Sequence, residues 1–255
     1  MMPGCDLQGR GVLLTRAAHQ VEGLVRLIET HRGRAVVWPA LEIRETDDSA
    51  SARTLLEQPW DLMIFISPNA VTFAVRQRAA ALWRTGSVAA VGASTAKVLE
   101  QIGRPADWLP VRGYDSEGLL SLPQLAHPEG QRVLIVRGEG GRALLGDTLI
   151  DRGARVSYAE VYRRVRPDTP VGPLLSRWGE DIQLVTVTSL EVLHNLVAML
   201  GEPGWVLLSG TPLVVVSERM RAAARTLGFT QVILAKGADE QSLLQAICQW
   251  AQGQS

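Results

Sequence analysis

Six short segments of this chain place hydroxyls, amides, arginines or glycines where an apolar run gives way to a helix-like pattern. They are Thr15-Arg16, Ser67-Pro68-Asn69, Gly92 to Thr95, Arg137-Gly138 to Gly141, Thr188-Ser189 and Ser217-Glu218-Arg219. Residues of these types at helix starts leave backbone N–H groups pointing outward, and each such start favours an anion by roughly 0.3–1 kcal/mol. Taken singly, each segment is accounted for by helix capping: Ser67, Ser189 and Ser217 are good N-caps, and Pro68 suits a first helical position. Taken together, they are better explained by one large anionic ligand. The candidate binding residues are Thr15, Arg16, Ser67, Asn69, Gly92, Thr95, Arg137, Gly138, Thr188, Ser189 and Ser217.

Tyr162 stands apart, in the strand-like segment Tyr158 to Arg164. Read from the residues alone, it is either a packing tyrosine or a proton donor. Other chemistries lack their signatures. Arg137 to Arg142 is glycine-rich, but it has no Gly-Lys-Ser/Thr, and Ala143 stands where a dinucleotide fingerprint needs its last glycine. His19, His31, His127 and His194 show no ligand spacing, so no metal is expected. Ser67 and Ser189 lack the flanking glycines of a nucleophile elbow. Cys5 and Cys248, at opposite ends of the chain, suggest neither a disulfide framework nor a metal site.

The elements that must position these groups alternate strand with helix. Val12–Thr15, Leu62–Ile66, Ala89–Val91, Val133–Val136, Leu184–Thr188 and Leu213–Val216 have strand length and the unbroken hydrophobicity of buried parallel strands. His19–His31 has helical spacing, with Val21, Leu24, Val25, Leu27 and Ile28 on one face. This alternation predicts an α/β protein with doubly wound parallel sheets, in which ligands bind beyond the carboxyl ends of the strands.

The chain also repeats itself. Val12–Arg16 can be laid on Val133–Arg137, Ile64–Val71 on Val185–Val192 and Ala90–Ala96 on Val215–Arg221, at an offset of about 120 residues. Three blocks recurring in order predict two homologous lobes. Strand-like runs meet turn signals at Pro39–Arg44 and Val161–Pro167. If the chain crosses there, residues 1–39 plus 165–255 form a discontinuous lobe and 40–164 a continuous one.

Composition narrows the function classes. The chain has 255 residues, 46% of them apolar, and a formal net charge of zero, which argues against broad binding to nucleic acid. No apolar run is long enough to span a bilayer. The N-terminus shows no secretory pattern, so a cytoplasmic location is expected. Of 26 basic residues only Lys97 and Lys236 are lysine. Arginine suits bidentate carboxylate binding, although a GC-rich genome is the simpler explanation of the bias.

These blocks resemble uroporphyrinogen-III synthases over essentially the whole chain. The matching pieces are Leu14–Arg16, Phe65–Val71, Ala90–Ala96, Tyr114–Leu119, Val133–Arg142, Val161–Arg164, Thr188–Glu191 and Val216–Arg219. Ile66 departs from the pattern, standing where the family often has a threonine. The resemblance implies two flavodoxin-like α/β lobes joined by a two-stranded linker near 39–44 and 160–167, with the active site in the cleft. It further implies a monomeric, cofactor-free lyase acting on hydroxymethylbilane, a linear tetrapyrrole bearing acidic side chains. Such an enzyme removes the substrate's hydroxyl as water, inverts the terminal ring through a spiro intermediate and closes the macrocycle. Tyr162 becomes the candidate acid by this resemblance, with Arg16 and Arg137 as side-chain partners of the carboxylates. Residues alone also admit a two-lobed, non-catalytic binding protein for an anionic small molecule. A receiver-like regulatory module is less well served, because no acidic cluster lies at the strand ends.

Overall fold

The computed structural model describes residues 5–111, 113 and 115–253. Tyr114 and the first four residues, on which the sequence reading also drew, lie outside these. The strands among the described residues are β1 (Gly11–Leu14), β2 (Arg34–Val37), β3 (Glu42–Glu45), β4 (Trp60–Phe65), β5 (Thr85–Ala90), β6 (Arg132–Gly138), β7 (Arg155–Val165), β8 (Leu184–Thr186), β9 (Leu213–Val215) and β10 (Val232–Leu234). The chain divides into one unit of residues 1–42 plus 165–255 and another of residues 43–164.

The first unit holds a five-stranded sheet in the order β10-β9-β8-β1-β2, and its pairings are parallel. Helices cover both faces, which is why its strands read as continuous apolar runs rather than alternating ones. Along β1, Val12 and Leu14 pack into one core with Leu24, Ile28 and Ile247. Leu13 packs into the opposite core with Val185, Leu193 and Leu213. Each fully buried leucine or valine of this kind contributes about 1.5–3 kcal/mol.

The apolar stripe predicted as one helix over His19–His31 is divided. A short 3-10 turn spans Ala18–Gln20 and the α-helix runs Glu22–Thr30, with Val21 between them in its own buried position. The cysteine expectation is corrected outright. Cys5 and Cys248 are joined by a disulfide, with their Cα atoms 5.4 Å apart. Sequence distance concealed this, because the helix Glu240–Gln252 packs against Glu22–Thr30 and so lies beside the start of the chain.

The second unit holds the order β3-β7-β6-β4-β5, with β4 to β7 paired in parallel. Met63, Phe65, Leu134 and Val136 face one core, while Leu62, Ile64, Val133 and Ile135 face the other. The β6–β7 register slips at Arg137/Gly138: Arg137 pairs with Glu160, but Gly138 pairs with Tyr162. One extra residue, Val161, therefore bulges the strand and re-aims Tyr162.

Candidate functional site

In an open parallel sheet, the crevice that takes ligands lies where the strand order reverses. In the second unit that point falls between β4 and β6. Ser67 follows β4 and caps the helix Pro68–Gln77, its Oγ accepting the Ala70 N–H at 3.1 Å. Gly138 ends β6. Tyr162 lies between them in contact terms: its hydroxyl is 3.1 Å from Ser67 Oγ, and its ring lies against Gly138 and 5.8 Å from the Phe73 ring. A Cβ on Gly138 would come 2.5 Å from the Tyr162 ring. Glycine is therefore required there by the close approach rather than by its backbone angle. Tyr162 is only 2% exposed, so the bulge, the glycine and the serine hold one rotamer with the hydroxyl at the start of a helix.

Arg137 is largely committed within its own unit. Its Nε and Nη2 donate to Glu160 Oε1 at 3.1 and 2.9 Å, and its guanidinium stacks 4.4 Å over the Tyr158 ring. Beside it opens a cavity of about 220 Å3 with Ile66, Ile135 and Leu145 on its walls. Arg142 also lines this cavity, and its side chain is 82% exposed, with Glu117 no nearer than 3.9 Å. Sequence reasoning passed over Arg142 as a site residue, although it closes the glycine-rich stretch. Gly92 caps the helix Ala93–Gln101 after β5, whereas Thr95 is buried within that helix and its side chain faces the core. Asn69 is half-buried in the first turn of its helix.

In the first unit the strand order reverses between β1 and β8. Thr15 is fully buried there, and its Oγ donates to the Thr186 carbonyl at 2.7 Å, tying the two strands together. Its side chain is thus spent on the scaffold. Arg16 Nη1 donates to the Ala238 carbonyl at 3.1 Å, while its Nε is buried without a partner. Burial lowers the pKa of this guanidinium below the ordinary arginine value, against the opposing pull of Glu240. Thr188 and Ser189 follow β8, and Ser189 caps the helical segment Leu190–Gly210, which is broken by a kink at Gly201, by accepting the Val192 N–H at 3.1 Å. Ser217 follows β9 and caps Glu218–Leu227 by accepting the Met220 N–H at 3.3 Å. Each unit thus gathers its capped helix starts at the carboxyl end of its own sheet, where amide dipoles attract anions.

Among the described residues, no group of three or more His, Cys, Asp or Glu side chains is arranged to hold a metal ion. No helix there is long and apolar enough to cross a membrane.

A family model described as uroporphyrinogen-III synthase HemD matches residues 22–245. The uroporphyrinogen-III synthase of Escherichia coli (strain K12) is 34% identical over 92% of this chain and 99% of its own length. That of Salmonella typhimurium is 35% identical over the same shares. Among solved structures, a mutant uroporphyrinogen III synthase from the extremely thermophilic bacterium Thermus thermophilus superimposes with a TM-score of 0.59 at 17% identity, covering 96% of this chain and all of that one. The Helicobacter pylori 26695 uroporphyrinogen-III synthetase gives 0.57 at 15% identity, with the same coverage. At such low identity these two likenesses establish a shared α/β fold and nothing finer. Together the matches leave the non-catalytic binding protein unfavoured.

Proposed function

Because the chain belongs to the uroporphyrinogen-III synthase family, we propose that it dehydrates and cyclises hydroxymethylbilane with inversion of the terminal pyrrole, giving uroporphyrinogen III. The observation that carries this reading is the family match over residues 22–245.

The task is chiefly one of conformation. The hydroxymethyl-pyrrole is reactive by itself and closes unaided to the uninverted isomer, so the protein must hold the chain for attack at the substituted carbon. Positioning of this kind supplies up to roughly 7–11 kcal/mol. Departure of the hydroxyl as water consumes one proton, and Tyr162 is the proposed donor. Its support is geometric: the Ser67 hydroxyl, 3.1 Å away at the positive end of the helix Pro68–Gln77, stands where it would stabilise the resulting phenolate. That help is worth about 10²–10⁴-fold for a general acid.

The substrate's carboxylates would be received by the helix starts at Ser67, Asn69, Gly92, Thr188, Ser189 and Ser217, with Arg16 and Arg142 as charged partners. Gly138 serves by admitting the Tyr162 ring. Thr15, Thr95 and Arg137 act in support, because their side chains are buried or already bonded within the scaffold. We place the enzyme in the cytoplasm as a monomer, working without metal or nucleic acid.

The test is to incubate the purified protein with enzymatically generated hydroxymethylbilane, oxidise the product and resolve the isomers. Type III product without added metal or nucleotide is expected. Product that stays type I would overturn the assignment. Size-exclusion chromatography and cell fractionation check the monomeric state and the location.

A further inference from the structure

One helix contacts Tyr162 from its hydroxyl to the peptide bond before it. Ser67, the cap of Pro68–Gln77, meets the hydroxyl, and Phe73 within that helix meets the ring. Gln77, the last helical residue, lies one turn beyond Phe73 on the same face. Its Nε2 donates to the Val161 carbonyl at 3.3 Å and to Glu45 Oε1 at 3.2 Å. Val161 is the extra residue of the β7 bulge and is fully buried. Its carbonyl belongs to the peptide bond that leads into Tyr162.

A bulge leaves its extra residue unpaired and disrupts the ladder around it. At Val161 a side-chain amide supplies a donor from outside the sheet. The second bond ties the same amide to the end of β3, the strand beside β7. Both partners are accepting oxygens, so the amide nitrogen must face them, and its two protons suffice for both bonds. Oε1 of Gln77 is left buried without a partner. A buried acceptor left unpaired is destabilising. An unbranched apolar chain of the same length would fill the space without that penalty, so packing alone does not account for glutamine here. Its two donors do.

We propose that Gln77 is a positioning residue for Tyr162: its bond to Val161 fixes the bulge and thereby the aim of the phenol at Ser67. This role rests on Tyr162 being the proton donor; Gln77 keeps that donor in place. Without the bond, the peptide before Tyr162 is free to turn. A displacement of about 1 Å at a reacting group can cost on the order of 10²-fold in rate. Gln77 lies at the opposite end of its helix from Ser67, so it acts on rate through Tyr162 and not on substrate affinity.

Two measurements test this. Gln77→Met keeps the length of the side chain and removes its donors. Its kcat for type III product is expected to fall about tenfold or more, with KM within about twofold of wild type. In a Tyr162→Phe background the same substitution is expected to cost no further rate, because no hydroxyl remains to be placed. An equal loss in both backgrounds marks a merely structural role and overturns the proposal, as does an undiminished kcat in Gln77→Met. The second measurement needs no turnover. In protein carrying 13C-labelled tyrosine, the Tyr162 ring signal is identified by its loss in Tyr162→Phe. It is expected to shift in Gln77→Met and to return towards its wild-type position in Gln77→Lys, which restores a donor beside Glu45. A signal unmoved in Gln77→Met, or moved equally by both substitutions, overturns the proposal. If the wild-type protein gives no type III product, or Tyr162→Phe keeps full turnover, the donor reading fails while the ring signal still decides what Gln77 does. Should Gln77→Met not fold, Gln77→Leu takes its place in both measurements.

Discussion

The hydroxyls of Ser67 and Tyr162 lie 3.1 Å apart, and the same serine oxygen accepts the Ala70 N–H that opens the following helix. Ser67 therefore has its accepting capacity partly occupied and its proton free to be offered to Tyr162. A phenolate left after proton transfer would meet a donor already in place, so the pair is suited to returning the proton as well as giving it. Tyr162→Phe keeps the ring against Gly138 and Phe73 and deletes only the hydroxyl. Turnover is expected to fall by about 10²-fold or more, within the range for general acids. Stability should change by no more than about 0.5–1.5 kcal/mol, the worth of one hydrogen bond. Isomer-resolved turnover and melting temperature on the same preparation check this. Near-wild-type turnover would remove Tyr162 from the mechanism.

Gly138→Ala addresses the same geometry from the other side. The added methyl meets the Tyr162 ring, which is only 2% exposed and has little room to retreat. A loss of about 1–3 kcal/mol is expected from overpacking. Turnover should fall beyond what the lost folded fraction explains, because the ring and its hydroxyl are displaced. The double variant with Tyr162→Ala removes the clash, so denaturation midpoints for the two singles and the double should be strongly non-additive. Simple additivity would show that the contact is not the cause.

Reduction of Cys5–Cys248 releases a crosslink of 243 residues in sequence separation. A disulfide typically contributes about 2–4 kcal/mol, mainly through the unfolded chain. The melting temperature is expected to fall on adding dithiothreitol, and Cys248→Ser should abolish that dependence. Neither cysteine belongs to the proposed site, so activity should survive the substitution. A wild-type melting temperature indifferent to reductant would remove the bond from the stability of the fold.

Asp239 caps the helix Glu240–Gln252, and its carboxylate accepts from the Ser242 hydroxyl and N–H at 2.7 and 2.9 Å. Those bonds hold its pKa below the ordinary aspartate value, the side-chain one most strongly. Because the folded-state pKa is the lower one, the contribution to stability is present above the unfolded pKa, about 3.9. It is lost as pH falls through the folded value. Asp239→Asn retains a capping oxygen but cannot titrate. Melting temperature against pH should therefore fall less steeply below about pH 4 in the variant. Superimposable acid limbs would show that the cap's charge is immaterial.

Sequence alone revealed the strand-forming runs, because strands covered on both faces must be apolar at successive positions and local composition records that. Leu62–Ile66 overlaps β4 and Val133–Val136 lies within β6. It also revealed the serine caps at Ser67, Ser189 and Ser217, since capping acts within four residues of chain and leaves a local signature. The family blocks were legible for the same reason. What depended on residues far apart in the chain was not. The slip between Arg137 and Gly138 arises only when β6 meets β7, and it is this slip that sets Tyr162 against Gly138 and near Ser67, 95 residues away. Arg137 read as a free carboxylate partner until Glu160 and Tyr158 claimed it. Thr15 and Thr95 read as exposed hydroxyls, yet neighbouring elements bury them. Cys5 met Cys248, and Arg10 met Trp250, only because the last helix packs beside the first strand and helix. Side-chain partners across such separations are chosen by packing, which minimises the free energy of the whole unit and leaves no periodicity behind.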